Sequence, residues 1–201
     1  PWRERPTPYR VWVSEVMLQQ TQVATVIPYF LRWMREFPTV TALARSSEPR
    51  VLELWAGLGY YRRARHLWEG AKQLVRSGRA VFPHDVAGWM EVPGVGRYTA
   101  GAICSIAFRQ AVPIVDGNVE RVFSRLGRMP RDVSRVWVRS EEAVKAAALE
   151  GHDPRDFNQA LMELGATVCL PKNALCAVCP LQQRCEAFQA GEVGQYPVPQ
   201  K

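Results

Sequence analysis

An all-α fold is predicted by three observations on this 201-residue chain. Apolar residues recur at three- and four-residue spacing through most of its length, the period of an amphipathic helix. Alternating runs rich in β-branched residues, which would read as strands, are scarce. The periodic runs are also bounded by residues that start and stop helices, Ser, Thr, Asp or Pro before them and Gly or Pro after.

In chain order, Pro8 is placed to start a helix over residues 9–18. Thr21 is expected to cap a second helix, in which Val23, Val26, Ile27, Phe30, Leu31, Met34 and Phe37 keep the helical spacing. Pro28 falls inside that run and is expected to kink it or remove one interior hydrogen bond. Pro38 ends it, a short helix covers 39–44, and Ser47 caps another that runs to Trp55. Gly57-Leu58-Gly59 breaks the chain before Tyr60-Tyr61. A longer basic helix over 62–76 carries Arg62, Arg63, Arg65 and Lys72, and a short one over 85–91 leads into Pro93-Gly94-Val95-Gly96. Helices over 97–108, 118–126, 134–149 and 155–168 follow, then a cysteine loop. Residues 188–201 are polar and proline-punctuated, and read as a linker or tail.

Hydrophobic residues make up 47% of the chain, which excludes a disordered polypeptide. The formal charge of +7 suits a polyanionic partner, a property shared with many unrelated basic proteins. No apolar run approaches the roughly 20 residues of a membrane span, and no stretch reads as a signal peptide.

Two stretches carry chemistry. In the first, the closely spaced glycines of Pro93-Gly94-Val95-Gly96 let the backbone turn tightly and approach a ligand, and the helix over 97–108 begins at once. Hairpin amides and a helix N-terminus pointing the same way make an anion site that suits a nucleic-acid phosphate. Asp116 follows in Val-Asp-Gly-Asn-Val, where it is also well placed to cap the next helix. The second stretch is Cys169-x6-Cys176-x2-Cys179-x5-Cys185. Four thiolates in one short loop, with a single close pair, suit a [4Fe–4S] cluster better than the paired knuckles of structural zinc, which is the alternative. Cys104, among Ala102, Ile103, Ile106 and Ala107, reads as a small buried hydrophobe.

Hairpin, aspartate and cysteine loop in this order resemble the helix-hairpin-helix DNA glycosylase superfamily, and the detail resembles its adenine glycosylase (MutY) branch. The matching residues include Trp12-Val13-Ser14-Glu15-Val16-Met17-Leu18-Gln19-Gln20-Thr21-Gln22, Leu58-Gly59-Tyr60-Tyr61, residues 92–101, Asp116-Gly117-Asn118-Val119 and Phe157-Asn158-Gln159-Ala160. The likeness runs from Pro1 to about Ala187 and covers the catalytic part, without the C-terminal domain with which such proteins read 8-oxoguanine. It implies a six-helix barrel domain over residues 9–112, an iron–sulfur cluster domain built from 1–8 and 113–187, and a tail over 188–201. It implies release of adenine mispaired with 8-oxoguanine or guanine in double-stranded DNA, by a monomer of bacterial cytoplasm or of eukaryotic nucleus or mitochondria. Two other readings stand beside it: a glycosylase of the same superfamily acting on thymine opposite guanine, and a non-catalytic iron–sulfur protein that binds DNA or carries electrons.

The resemblance also assigns roles. Glu15 would protonate adenine, its apolar neighbours Val16-Met17-Leu18 favouring the neutral acid, although a lone glutamate on a helix is ordinarily a solvated residue. Asp116 would stabilise the sugar cation and assist water or a transient covalent adduct. Tyr98 and Asn118 match polar active-site positions, and Tyr98 stands where strand-cutting relatives place a lysine, so no Schiff base can form. Gln20 and Tyr60 would wedge into the duplex while the base is flipped, with core packing the plainer reading of Tyr60. Gln19 and Gln22, four and seven residues beyond Glu15, would share its helical face near the adenine pocket. Pro93, Gly94, Val95, Gly96, Arg97 and Lys172 would hold the DNA backbone, with Arg62 and Arg63 as further phosphate candidates; a solvated face is the equal alternative for the four cations. Cys169, Cys176, Cys179 and Cys185 would ligate one [4Fe–4S] cluster.

Overall fold

The computed structural model describes residues 1–76, 79–129 and 132–198. They divide into two compact units, Pro1–Phe108 and Arg109–Lys201. Both are helical, and the described residues add only a two-residue antiparallel ladder, so the all-α expectation holds.

The first unit is organised around α1 (Pro8–Leu18), whose residues from Val11 to Met17 are all buried. Pro8 occupies its first turn and Thr7 caps it, the hydroxyl accepting from Arg10 N at 3.3 Å. Packed on α1 are α2 (Val23–Glu36), α5 (Arg62–Leu74) and α7 (Arg97–Phe108), while α3 (Val40–Arg45) and α4 (Glu48–Trp55) pack on α5. Four fully buried tryptophans fill the interior, with Trp12 against Trp89 at 5.9 Å and Trp33 against Trp55 at 5.6 Å. Their polar edges are partly satisfied inside. Trp33 Nε1 donates to the Tyr9 hydroxyl at 3.2 Å, which donates in turn to the Phe37 carbonyl at 3.0 Å. Rings of this size bury large apolar areas, so this interior is the main hydrophobic contribution to the unit.

Several local expectations change. Thr21 does not cap α2; its hydroxyl donates back to the Gln19 carbonyl at 3.3 Å, and Gln22 takes the cap position without a side-chain bond. Ser47 stands at the cap of α4, also without one. Pro28 lies within a helix that continues through it. The helix expected over 62–76 stops at Leu74, because Val75 turns extended and pairs with Ala80 as β1 (Val75–Arg76) and β2 (Arg79–Ala80). A short α6 (Val86–Met90), capped by Asp85 Oδ1 on Gly88 N at 2.7 Å, then leads to the hairpin. Residues 1–8, expected with the cysteine-bearing domain, belong to the first unit: Trp2 packs edge-on against Phe30 at 5.3 Å.

The second unit wraps α9 (Val133–Leu149) and α10 (Pro154–Thr167) around α8 (Gly117–Leu126), with Val115, Val119, Val122, Val136 and Leu161 at the core. Residues 188–198 are not a free tail. After α11 (Glu186–Gln189), Glu192 pairs with Arg128 at 2.6 Å and the Tyr196 carbonyl accepts from Arg125 Nε at 2.9 Å. The rest of the expected tail, 199–201, lies outside the described residues. Among the described residues no helix is long and apolar enough to cross a membrane.

The seam between α8 and α10 leaves no room for a side chain at Gly165: a Cβ there would lie 2.5 Å from Asn118 Cβ and 3.0 Å from its backbone. Gly165→Ala is expected to force the helices apart and destabilise the protein by about 1–3 kcal/mol. In thermal unfolding that is a fall in Tm of roughly 2–10 °C.

Candidate nucleic-acid interface and cysteine pocket

In the first unit, the residues expected at a duplex wedge and the hairpin line one cleft of about 810 Å³, among them Gln19, Gln20, Tyr60, Arg62, Arg63, His66 and Gly94. Gly94 has φ +74°, and a Cβ there would fall 2.6 Å from His66 Nδ1, so both conformation and space call for glycine. The hairpin closes with Val95 N on the Val92 carbonyl at 3.0 Å and passes directly into α7, leaving Gly96 and Arg97 exposed at its start. Arg62 is exposed and its Nε donates to His66 Nε2 at 3.4 Å.

Gln20 and Tyr60 project from the surface, Tyr60 with 64% of its area exposed. Tyr60 is therefore no core residue. Both adopt left-handed backbone conformations, φ +56° and +49°, which are unfavourable for residues with a Cβ. Glu15, one turn before the end of α1, is buried at 8% exposure. Tyr98 is half-buried in the first turn of α7. The shared helical face expected for Glu15, Gln19 and Gln22 does not form, because α1 ends at Leu18 and Gln20 reverses the chain. Gln19 still borders the cleft, whereas Gln22 is exposed at the start of α2.

Arg63 differs from its expected role as a phosphate contact. It turns inward, bonding carbonyls at the end of α1 and in the loop before α5, and burial pulls its pKa down. The sequence reading missed this, because a helix-borne arginine beside Arg62 and Arg65 carries no signal of its direction.

In the second unit, Asp116 caps α8 through Oδ1, which accepts from Val119 N at 2.8 Å. Its Oδ2 accepts from Asn118 Nδ2 at 2.9 Å, so neither oxygen is free to rotate. The chain before it is held by buried Asn158, whose amide donates to the Val112 carbonyl at 2.9 Å and accepts from Ile114 N at 3.2 Å. Arg121 completes the arrangement. Its fork donates to Asn118 Oδ1 at 2.9 Å, to the Gly165 carbonyl at 2.7 Å and to the Cys169 carbonyl at 2.7 Å. A chain of hydrogen bonds thus runs from Asp116 through Asn118 and Arg121 to the backbone of Cys169. Arg121 and Arg125 were not foreseen; their spacing with Asn118 makes a polar stripe along α8 that was legible as periodicity but not as burial.

Cys169, Cys176, Cys179 and Cys185 line one pocket together with Arg125, Phe188 and Val193. None of the four is in a disulfide. Arg125 Nη1 donates to Cys169 Sγ at 3.4 Å and to the Leu170 carbonyl at 2.7 Å, and Cys185 Sγ lies 3.5 Å from the Arg125 carbonyl. Burial first, then the sulfurs of Cys169, Cys185 and Cys179, push the Cys176 thiol up. No three His, Cys, Asp or Glu side chains among the described residues are grouped tightly enough to hold a single metal ion. Lys172 is exposed on the loop between Cys169 and Cys176.

Comparison with known proteins places these features in context. The family description "HhH-GPD superfamily base excision DNA repair protein" matches residues 13–162. The chain is 48% identical to a human protein named adenine DNA glycosylase, over 97% of this chain and 38% of that protein. It is 45% identical to the Arabidopsis thaliana protein of that name, over 96% and 35%, and 39% identical to one from Buchnera aphidicola, over 94% and 53%. The chain therefore spans about a third to half the length of these relatives. Among solved structures, a thermostable thymine-DNA glycosylase superposes with a TM-score of 0.83 at 23% identity, over 94% of this chain and 88% of that one. A non-covalent endonuclease III–DNA complex gives 0.70 at 23% identity, over 92% and 86%. At that identity the structures share the fold.

Arg121→Met would leave the carbonyls of Cys169 and Gly165 and the Asn118 amide without a buried donor, and is expected to destabilise by about 2–4 kcal/mol in urea unfolding. Cys104 is fully buried, and burial, with a smaller contribution from Asp85, raises its pKa to about 11. Only about one part in a thousand would be thiolate at pH 8, so native protein treated with iodoacetamide should show no modification at Cys104 by peptide mass mapping.

Proposed function

The chain belongs to the HhH-GPD superfamily of base excision DNA repair proteins, and from that footing we propose that it is a monofunctional DNA glycosylase that hydrolyses the N-glycosidic bond of adenine opposite 8-oxoguanine or guanine. The observation that carries this reading is 45–49% identity, over nearly the whole chain, to proteins named adenine DNA glycosylase.

In this mechanism Glu15 donates a proton to a ring nitrogen of adenine. The bond between base and sugar breaks, its electron pair leaves with the base, and positive charge develops on the sugar. Burial of Glu15 supports the role, since it sets this residue apart from the solvated glutamate that a lone helical position ordinarily carries. Asp116 stabilises the developing cation and either directs water to the anomeric carbon, taking up its proton as the C–O bond forms, or bonds to that carbon through a carboxylate oxygen in a transient ester that water then hydrolyses. The bonds from Val119 N and Asn118 support that role, because a carboxylate fixed in advance needs no reorganisation when charge appears. Tyr98 offers no amine, so no imine forms and the DNA strand is left uncut.

Adenine must leave the stack before it can react, and Gln20 and Tyr60 enter the duplex as it does so. Gln19, which borders the cleft, lies toward the extruded base. The hairpin at 93–96, through the backbone N–H groups of Gly94 and Gly96, grips phosphates along double-stranded DNA with Arg97 and Lys172. The four cysteines would hold a [4Fe–4S] cluster. All four line one pocket, and four cysteines within one short loop with a single close pair is the ligand pattern that supports this reading. The cluster, when bound, supplies a rigid cross-link for the loop that carries Lys172.

The deciding experiment incubates the protein with duplexes holding adenine opposite 8-oxoguanine, guanine or thymine, and thymine opposite guanine, then reveals abasic sites with alkali. Release of adenine from the first two is expected; release of thymine alone would overturn the assignment. Glu15→Gln is expected to slow single-turnover release by about 10²–10⁴-fold, and Asp116→Asn by about 10²–10³-fold. Borohydride should trap no protein on the substrate.

A further inference from the structure

Arg63, in the first turn of α5, holds the two loops that carry Gln20 and Tyr60. Its Nη1 donates to the carbonyls of Val16 at 3.0 Å, Met17 at 3.1 Å and Gln19 at 2.5 Å. Its Nη2 donates to Thr21 Oγ1 and to the carbonyls of Leu58 and Gly59, each at 3.3 Å. The guanidinium lies over the rings of Trp55 at 5.3 Å and Tyr60 at 5.4 Å. Among the described residues no carboxylate lies within ion-pair distance of it. Its charge is met by dipoles instead. Val16 and Met17 are among the last residues of α1, whose carbonyls lack helical partners and form the negative end of the helix dipole.

The bonded carbonyls sit immediately before the strained residues, Gln19 before Gln20 and Gly59 before Tyr60. Trp55 Nε1 adds a second donor on the Gly59 carbonyl at 2.9 Å. Left-handed residues with a Cβ persist only where their surroundings over-determine them. One guanidinium does so for both loops at once. We propose that Arg63 is a positioning residue that fixes Gln20 and Tyr60, before DNA arrives, in the paired conformation that displaces a base. The proposal rests on the glycosylase reading above. It assigns the preparation of the wedge to a residue that need not touch DNA, and it explains the direction in which Arg63 points. A lysine could keep the charge but not span both loops, since its ammonium lacks the planar fork.

The test compares the protein with Arg63→Lys and with Thr21→Val, which removes one anchor and leaves the arginine in place. The probe is a duplex with 2-aminopurine beside an adenine opposite 8-oxoguanine; its fluorescence rises when the stack opens. Measurements use saturating protein, well below each variant's Tm. Arg63→Lys is expected to lower the single-turnover rate at least about thirtyfold, equivalent to about 2 kcal/mol, and to abolish most of the fluorescence rise, while DNA affinity changes less than about threefold because the phosphate contacts are intact. Thr21→Val is expected to lose about threefold in rate, with a matching partial loss of fluorescence. A merely structural role would lower Tm and leave the fluorescence rise of the folded, saturated protein unchanged, and that result overturns the proposal. If Arg63→Lys does not fold, Thr21→Val decides, and wild-type fluorescence and rate in it would overturn the proposal. The unsubstituted protein tests the functional reading separately: failure to release adenine at all sinks that reading and the wedge with it, whereas normal release with indifferent variants sinks the Arg63 role alone.

Discussion

The guanidinium that donates to backbone carbonyls, with no carboxylate in ion-pair distance among the described residues, is the interaction on which the candidate sites of both units depend. Arg63 binds the end of α1 and the loop before α5. Arg121 and Arg125 bind the backbone around Cys169. A planar cation with five donors can join segments that are distant in sequence, and it does so without requiring a particular side chain at the far end. Most of the holding bonds go to main-chain carbonyls, so side chains such as Gln20, Tyr60 and Lys172 are not needed for them. The arrangement is also demanding. Arg121 and Arg125 are buried and Arg63 half-buried, and loss of any one fork leaves several carbonyls without donors rather than one.

The helical skeleton was legible because it rests on periodicity and punctuation. The helix over 97–108 has the bounds that its hairpin and closing polar residues predict, and Asp116 caps α8 as its place before an amphipathic run suggests. What was not legible depends on partners with no sequence signature. Nothing in Arg62-Arg63 distinguishes an arginine facing solvent from one facing carbonyls. The segment after Ala187 looks like a linker by composition, yet a backbone carbonyl at Tyr196 and an ion pair at Glu192 secure it. Thr21 loses its expected capping role because its hydroxyl is engaged by Gln19 and Arg63. The common face of Glu15, Gln19 and Gln22 failed for a related reason, since helical spacing was extended past a residue that leaves the helix.

The candidate site shows the same division. Cysteine spacing singled out one loop, and a pocket is lined by the same four residues. Spacing could not reveal that Phe188 and Val193, from the supposed tail, help to wall that pocket, or that hydrogen bonds join Cys169 to Asp116 through Arg121 and Asn118. Such connections arise from helices packing at Gly165, where the absence of a side chain permits contact that a hydrophobicity pattern does not register.

The contact between Gly94 and His66 has a mechanical consequence. His66 stands one turn along α5 from Arg62, on the helix that begins just after Tyr60, and its ring occupies the space where a Cβ of Gly94 would be. The hairpin therefore cannot shift toward α5 independently of the residues at the start of that helix. The spacing between the hairpin and the residues at the start of α5 is thereby set by a contact within the protein, like a depth gauge between two tools on one frame.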